Sequence, residues 1–134
     1  MSISLNYYFE KAKGNIPWDD IVREDFLYIV FRDKYPVSPG HLLFVPKNVD
    51  LMTLSVTMVA AWSAGQNMVD LGECNGFNIG MNMGEAAGQT IMYPHVHVIP
   101  RHNGDVKDPI GGVRGVIPGQ ANYKNSAYKN PTDK

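Results

Sequence analysis

The sequence predicts an α+β domain built around a five-stranded, mostly antiparallel sheet. The first observation is the order of elements, because short segments rich in β-branched and aromatic residues stand before and after one long helical pattern. The second is size, because 134 residues suit one domain of ordinary dimensions. The third is composition: 44% hydrophobic and 19% charged residues allow a buried core and do not match a disordered chain.

Three strands are predicted in the first third of the chain. The apolar run at residues 21–32 predicts a strand pair with a turn near Glu24 and Asp25, and residues 41–46 predict the third strand. Residues 35–40 contain two prolines and a glycine, which predicts a rigid connector between the second and third strands.

One long helix is predicted at residues 51–71, and a short one at residues 5–12. Asp50 is placed to cap the long helix at its start, and Gly72 or Gly76 to end it. The apolar residues of the long helix recur at spacings of three and four or multiples of them, and they are Leu51, Leu54, Met58, Trp62, Met68 and Val69.

The second half of the chain is predicted to return to the sheet. Alternating apolar residues at 77–82 predict a half-buried strand, and residues 91–101 predict the last strand. Five glycines and two prolines make residues 103–119 a predicted loop with short extended pieces. We expect residues 1–118 to form the domain and residues 119–134 a C-terminal tail that is either mobile or docks on a partner.

Charge, cysteine content and hydropathy exclude several classes of protein. Lys plus Arg number 12 and Asp plus Glu 13, so no overall basic field favours nucleic acid or an anionic membrane. Cys74 is the single cysteine, which excludes an intramolecular disulfide and a cysteine-based zinc site. Because the sequence shows neither an export signal nor an apolar run of membrane-spanning length, we expect a cytoplasmic protein.

The most informative side chains lie on the last predicted strand. Tyr93, His95 and His97 alternate there with Val96 and Val98, so period-two geometry places the three rings on one face and the valines toward the core. Imidazole has an unperturbed pKa of about 6.5, which suits a nucleophile, base or acid near neutral pH. Two histidines on one strand also fit a structural pair or a metal site, and the spacing alone does not separate these readings.

A metal site would need a third ligand beside the two histidines. Glu85 and Asp105 are the nearest acidic candidates in sequence, but they lie on predicted loops and have no diagnostic spacing. We therefore expect no protein-bound metal and no required cofactor, and we allow a divalent cation only as a companion of the substrate.

Small residues precede the histidine strand and leave room for a ligand. Residues 84–90 include two glycines and two alanines, which let the backbone approach a ligand closely and expose amide donors to an anion. This loop is weak evidence by itself. It stands together with Gln89-Thr90, with Pro100-Arg101, and with the Pro-Gly-His sequence of residues 39–41 ahead of an apolar strand that ends in Val-Pro-Lys.

This combination resembles the histidine-triad, or HIT, family of nucleotide hydrolases and transferases, whose signature is three histidines alternating with apolar residues. The resemblance extends from Phe9 to about Pro118 and is most specific at residues 33–47, 76–101 and 104–118. It implies a small α+β domain that dimerises by joining two five-stranded sheets. It also implies that the middle histidine attacks an α-phosphorus, forming a nucleotidyl-histidine that water then cleaves.

Carried over by position, the resemblance assigns His95 as the nucleophile and His97 as the third histidine, which holds the phosphate and helps order the strand. Asp33 matches the residue that binds the ribose hydroxyls, and His41 matches a histidine that some members place behind the triad. The polar residues matched around the phosphates are Asn82, Gln89 and Thr90.

The chain departs from the family pattern at the first triad position, which is Tyr93. A phenol with a pKa of about 10 can donate a hydrogen bond but cannot be a cation at pH 7. We expect its hydroxyl to point into the site and meet a phosphate oxygen or the leaving group, and packing at the strand end is the alternative. The chain also lacks the N-terminal cysteines of zinc-binding relatives, and His97 in place of glutamine favours hydrolysis over the phosphorylase and uridylyltransferase branches.

The glycine-rich segment after the strand resembles a segment of bacterial members proposed to act on dinucleoside polyphosphates. Cations there and at the strand end are expected to meet the distal phosphates, and ordinary ion pairs with Asp105 and Asp108 are the alternative. These cations are Arg101, Lys107 and Arg114. The apolar slot for the base is expected near Phe9, Ile16 or Phe31.

The resulting hypothesis is a homodimeric HIT hydrolase that cleaves a dinucleoside polyphosphate, such as diadenosine tetraphosphate, or a nucleoside phosphoramidate. Two alternatives stay open. One is a nucleotide-binding regulatory protein whose catalysis is weak or was lost with the first histidine. The other is a nucleotidyltransferase whose acceptor is not water.

Overall fold

The structure is a computed structural model that describes residues 6–125. Its strands form one sheet in the spatial order first, second, third, fifth, fourth, with every neighbouring pair antiparallel. They are β1 Ile21–Glu24, β2 Tyr28–Arg32, β3 Leu42–Pro46, β4 Gly76–Gly80 and β5 Val96–Arg101. With helices α1 (Tyr7–Ala12) and α2 (Leu51–Asp70), this arrangement confirms the predicted α+β class and the five-stranded antiparallel sheet.

Both faces of the central strands are buried, because their side chains alternate between two apolar clusters. One cluster contains Tyr7, Ile16, Trp18, Ile29, Phe31, Leu43, Val45 and Tyr93. The other contains Tyr28, Val30, Phe44, Ala61, Val96 and Val98. The valines of β5 therefore face the core beneath α2, as predicted, while His97 between them is half-buried on the opposite face.

The long helix α2 contacts the sheet through small and hydroxyl-bearing residues. The Asp50 side chain accepts a hydrogen bond from the Thr53 N–H at 2.8 Å, which confirms the predicted cap. The buried stripe consists of Thr53, Thr57, Ala61 and Gly65. None of the six apolar residues that predicted the helix is fully buried, and three of them are exposed: Leu51 (83%), Met58 (39%) and Trp62 (53%). The apolar period therefore identified the helix correctly but not the face that packs on the sheet.

Several predicted boundaries need correction. The last strand begins at Val96 and not at residue 91, because the side-chain amide of Gln89 donates to the carbonyls of Ile91 and Met92 and holds that segment outside the ladder. Helix α1 begins at Tyr7, with Asn6 as its cap, and Leu5 lies outside the described residues.

A second unit begins at His102. The predicted extended pieces are replaced there by a 3₁₀ helix at Gly112–Val116, and Gly111 precedes it with a φ of +81°. A Cβ at residue 111 would overlap the carbonyl oxygen of Ala121, so only glycine fits this turn. The predicted tail begins within this unit at residue 119, and its last nine residues, 126–134, lie outside the described part of the chain, so the tail stays a prediction.

Within residues 6–125, no helix combines the length and the apolar character needed to cross a membrane.

Candidate active site

A cavity of about 380 Å³ opens in the first unit beside His95, which directly precedes β5, and His97 within it. Six of the residues predicted from sequence line it, namely Asp33, Asn82, Gln89, Thr90, His95 and His97. Residues that the sequence had not suggested for the site line it as well, among them Trp18, Lys34 and Tyr35. The cavity therefore brings together residues that are up to 80 positions apart in the chain, from Pro17 to His97.

The sheet explains why these residues meet. Asp33 directly follows β2 and His41 directly precedes β3, and the main-chain N–H of Asp33 donates to the carbonyl of His41 at 3.0 Å. On the next strand His97 is the cross-strand partner of Leu43. The open end of the β2–β3 hairpin and the start of β5 thus place Asp33, His41 and His97 side by side.

His95 is oriented by a main-chain carbonyl. Its ring is 8% exposed, and Nδ1 lies 2.8 Å from the carbonyl oxygen of Tyr93. Because a carbonyl only accepts, Nδ1 carries the proton and Nε2 keeps its lone pair. Burial lowers the pKa of His95 below its ordinary value, although the Tyr93 carbonyl and the Asp33 charge oppose that shift. At pH 7 the ring is therefore a neutral imidazole with one nucleophilic nitrogen.

A chain of hydrogen bonds fixes the protons of the other two histidines. The main-chain N–H of Val37 donates to Nδ1 of His41 at 3.1 Å, so His41 carries its proton on Nε2. That nitrogen lies 2.9 Å from Nδ1 of His97 and 3.4 Å from a carboxylate oxygen of Asp33. His97 therefore accepts at Nδ1 and carries its own proton on Nε2, where it acts as a donor.

His97 stays neutral well below pH 7. Burial lowers its pKa to about 4, and the neighbouring His95 and His41 rings add to the shift while Asp33 opposes it. Burial also lowers the pKa of His41. The site thus holds three uncharged imidazoles beside one carboxylate, which gives a neutral nucleophile and a neutral hydrogen-bond donor rather than two cations.

Asp33, His41 and His97 also offer three ligand atoms within 4.8 Å of one another, which is a spacing compatible with a metal ion. The proton pattern disfavours that use. A ligating histidine usually donates its second ring N–H to a neighbour, whereas Nδ1 of His41 accepts from the Val37 N–H. Binding a metal through Nε2 would therefore require an imidazolate or the loss of the Val37 hydrogen bond.

Tyr93 does not occupy the position that the sequence predicted for its hydroxyl. The side chain is 2% exposed, and its hydroxyl donates to the carbonyl of Pro46 at 2.7 Å. Its ring packs edge-on against Tyr7, with the centroids 6.1 Å apart. Burial raises the pKa of the phenol, so the hydroxyl keeps its proton. The structure thus corrects the expected phosphate contact and favours the packing alternative, because the apolar cluster holds the ring and Pro46 takes its only proton.

Gln89 shapes the loop in front of β5. Its Oε1 accepts from the Gly84 N–H at 2.7 Å, and its Nε2 donates to the carbonyls of Ile91 and Met92 at 3.2 and 3.1 Å. The loop turns through positive φ angles at Gly84 (+94°) and Gly88 (+89°), which a larger residue adopts only with strain. Gln89 lines the cavity, but its side-chain amide is hydrogen-bonded to the main chain. It therefore positions the loop and does not offer free donors to phosphates.

Arg101 is the one predicted cation in the first unit, and it is not among the described residues that line the cavity. Arg101 lies at the far end of β5, and its Nη1 donates to Asn78 on the neighbouring strand at 2.8 Å. Arg114 belongs to the second unit, where its Nε donates to the carbonyls of Gln120 and Ala121 at 3.2 and 3.1 Å. Phosphate binding by Arg101, Lys107 and Arg114 stays a prediction.

The apolar wall of the cavity differs from the predicted slot. Phe9 is 66% exposed, while Ile16 and Phe31 are buried in the core cluster, and none of the three is among the described residues that line the cavity. The apolar lining comes instead from Pro17, Trp18, Leu43 and Ile91. A tryptophan directly after a proline in an otherwise polar stretch was the available signal for this wall.

Comparison with known proteins finds relatives of similar sequence. The AP-4-A phosphorylase of Mycobacterium tuberculosis is 35% identical over 108 residues, which is 73% of this chain and 54% of that protein. Adenylylsulfatase HINT3 of Arabidopsis thaliana is 36% identical over 90 residues, or 61% of this chain and 45% of that protein. The chain thus spans about half the length of both relatives.

Solved structures and a family model extend the likeness. The crystal structure of a Hit-like protein involved in cell-cycle regulation from Bartonella henselae, with an unknown ligand, has a TM-score of 0.63 and 27% identity, and the match covers 79% of this chain and 86% of that one. The model of the HIT domain matches residues 14–104, which include β1 to β5 and the whole lining of the cavity. With its fold, its paired histidines and this match over more than half of its length, the chain belongs to the HIT domain family.

Proposed function

We propose that this chain is a nucleotide hydrolase that attacks an α-phosphorus with Nε2 of His95 and releases the nucleotide from His95 with water. The observation that carries the proposal is the 2.8 Å contact between Nδ1 of His95 and the Tyr93 carbonyl. It keeps the proton on Nδ1, so the nucleophilic lone pair belongs to Nε2 of a residue that lines the cavity.

The two steps consume only the substrate and one water molecule. In the first, Nε2 of His95 bonds to the α-phosphorus, and the bond between phosphorus and the leaving group breaks with its electron pair going to the leaving group. In the second, water attacks the same phosphorus, the P–N pair returns to Nε2, and a proton passes to solvent. The N–H group at Nε2 of His97 donates a hydrogen bond to a phosphoryl oxygen, and the Asp33 carboxylate accepts hydrogen bonds from the ribose hydroxyls. No step calls on a metal ion bound to the protein.

The substrate class proposed first is a dinucleoside polyphosphate such as diadenosine tetraphosphate, and a nucleoside phosphoramidate is second. Two relatives whose names refer to adenylyl compounds, the AP-4-A phosphorylase and the adenylylsulfatase, support an adenine nucleotide. Lys34 and Asn82 on the cavity wall are suited to meet phosphate oxygens.

The test is incubation with labelled diadenosine tetraphosphate followed by chromatography. Hydrolysis at the α-phosphorus gives AMP and ATP. His95→Ala should abolish turnover while the nucleotide dissociation constant stays within about tenfold, because the lost bond forms only on the way to the transition state. The matched control is His102→Ala, which removes a histidine from the second unit and should keep wild-type turnover.

Other outcomes distinguish the alternatives. ADP with ATP, formed only when inorganic phosphate is present, would identify phosphorolysis, which the name of the mycobacterial relative makes the second candidate. Tight binding of an unchanged substrate would identify a nucleotide-binding protein. Residual turnover above a few per cent in His95→Ala would exclude His95 as the nucleophile.

We also propose that the protein forms a homodimer. Helix α2 packs on the sheet with its small residues and exposes an apolar face that includes Leu51, Met52, Val59 and Trp62. β4 lies at an edge of the sheet, where the main-chain groups on one side have no strand partner among the described residues. A second copy would cover both features at once, as the resemblance to the family implies.

A further inference from the structure

Trp18 lies against the proposed nucleophile. The indole and the His95 imidazole have centroids 4.6 Å apart and an interplanar angle of 57°. Trp18 is 7% exposed, lines the cavity, and is backed by Phe31 at a centroid distance of 6.0 Å. The His95 ring is thus held on one side by an aromatic face and at Nδ1 by the Tyr93 carbonyl.

The covalent step gives this contact a chemical consequence. When Nε2 of His95 bonds to phosphorus, Nδ1 keeps its proton and still donates it in a hydrogen bond to the Tyr93 carbonyl, so the imidazole ring becomes an imidazolium. The charge appears on a ring that is 8% exposed and receives little help from water. An aromatic face within about 6 Å of a cation is attractive, and the attraction grows when the pair is desolvated.

Other groups around His95 supply only part of this stabilisation. The His97 ring lies 5.3 Å away and is neutral at pH 7, so it adds no negative charge. The Asp33 carboxylate is directed toward His41 and His97, with oxygen-to-nitrogen distances of 3.4 and 3.8 Å. Trp18 is the ring that meets the charge most directly.

We propose that Trp18 is a positioning residue of this site, whose indole fixes the His95 ring and stabilises the imidazolium of the covalent intermediate. This inference rests on the proposed role of His95 as the nucleophile. It assigns to the segment between α1 and β1 a part in the reaction, beyond that of a wall for the nucleotide.

The experiment compares Trp18→Leu, which keeps an apolar side chain, with Trp18→Phe, which keeps an aromatic face. The rate of nucleotidyl-enzyme formation is measured at saturating diadenosine tetraphosphate by rapid quench into alkaline detergent, because the P–N bond of a nucleotidyl-histidine is labile in acid. Trp18→Leu should be slower by about threefold to thirtyfold, with partial recovery in Trp18→Phe. The matched control is Phe44→Leu, which removes a buried ring from the other core cluster, where it packs on Tyr28. It should lower the melting temperature and leave the rate nearly unchanged.

A second readout needs no turnover. The pKa of His95, followed by NMR of its ring protons in the free protein, should fall in Trp18→Leu because the cation loses its aromatic face. It should be intermediate in Trp18→Phe and unchanged in Phe44→Leu. Circular dichroism checks that each variant is folded.

The outcomes separate this inference from the proposed function. A wild-type protein that forms no nucleotidyl-enzyme would overturn the role of His95 as nucleophile, while a fall of the His95 pKa in Trp18→Leu would still support the contact with the charged ring. A nucleotidyl-enzyme that forms in Trp18→Leu at the wild-type rate would overturn the role of Trp18 alone. So would a Phe44→Leu variant that loses as much rate as Trp18→Leu while the pKa of His95 stays constant in both.

Discussion

Tyr93→Phe should reduce stability and spare catalysis. The Tyr93 hydroxyl donates to the carbonyl of Pro46 at 2.7 Å, and both residues are buried. The phenylalanine variant keeps the ring in the core cluster but leaves the Pro46 carbonyl without this donor. A buried acceptor that loses its partner costs about 1–3 kcal/mol, so the free energy of unfolding should fall by that amount.

Turnover should change by less than about threefold in the same variant, because Tyr93 is not among the described residues that line the cavity. If its hydroxyl did contact a phosphate oxygen in the transition state, its removal would lower turnover about a hundredfold or more. The measurements are urea unfolding followed by circular dichroism and AMP release from diadenosine tetraphosphate. Tyr8→Phe is the matched control, because its hydroxyl donates to Glu24 at the surface at 3.1 Å and should contribute less than about 0.5 kcal/mol. A tenfold loss of turnover with unchanged stability would refute the packing role of Tyr93.

Three further results are expected. Gly65→Ala should lower the free energy of unfolding by about 1–2 kcal/mol in thermal or urea unfolding, because the new Cβ would overlap the Phe77 ring. Alanine favours helix more than glycine does, so equal or higher stability would contradict this packing. The free energy of unfolding should fall as the pH is lowered from 6.5 to 4, because His97 binds a proton in this range in the unfolded chain but not in the folded one, where its pKa is about 4. The loss should reach about 3 kcal/mol, and it should shrink in His97→Asn. Trp62→Glu should convert a dimer to a monomer in sedimentation velocity, and an unchanged sedimentation coefficient would exclude this face.

Local patterns predicted the elements of the sheet well. The strand pair, the third strand and the long helix each depended on nearby residues, such as the apolar run before Asp33 and the capping Asp50. The buried face of α2 was not predictable in that way. An amphipathic period identifies a helix, but this helix buries Thr57 and Gly65 and exposes Trp62, because close approach to the sheet requires small side chains.

The site was predictable where the backbone alone decides the geometry. Alternation along β5 placed His97 opposite Val96 and Val98. Asp33, which lies 3.8 Å from His97, was expected in the site only from the resemblance to the HIT family. The hydroxyl of Tyr93 was not predictable, because its partner is a main-chain carbonyl 47 residues away. Such a pairing depends on the fold and leaves no mark in the local sequence.

The irregular start of β5 explains the geometry on which the proposed role of His95 depends. In a regular strand the carbonyl of residue 93 would be a candidate partner for the neighbouring strand's N–H groups. Here the Gln89 side chain donates hydrogen bonds to the carbonyls of Ile91 and Met92, which therefore do not pair with the sheet. Pro94 has no N–H to pair, and regular strand pairing begins only at Val96. The Tyr93 carbonyl is therefore available to Nδ1 of His95 at 2.8 Å. The irregular segment thus fixes the proton on one nitrogen and leaves the other to the substrate.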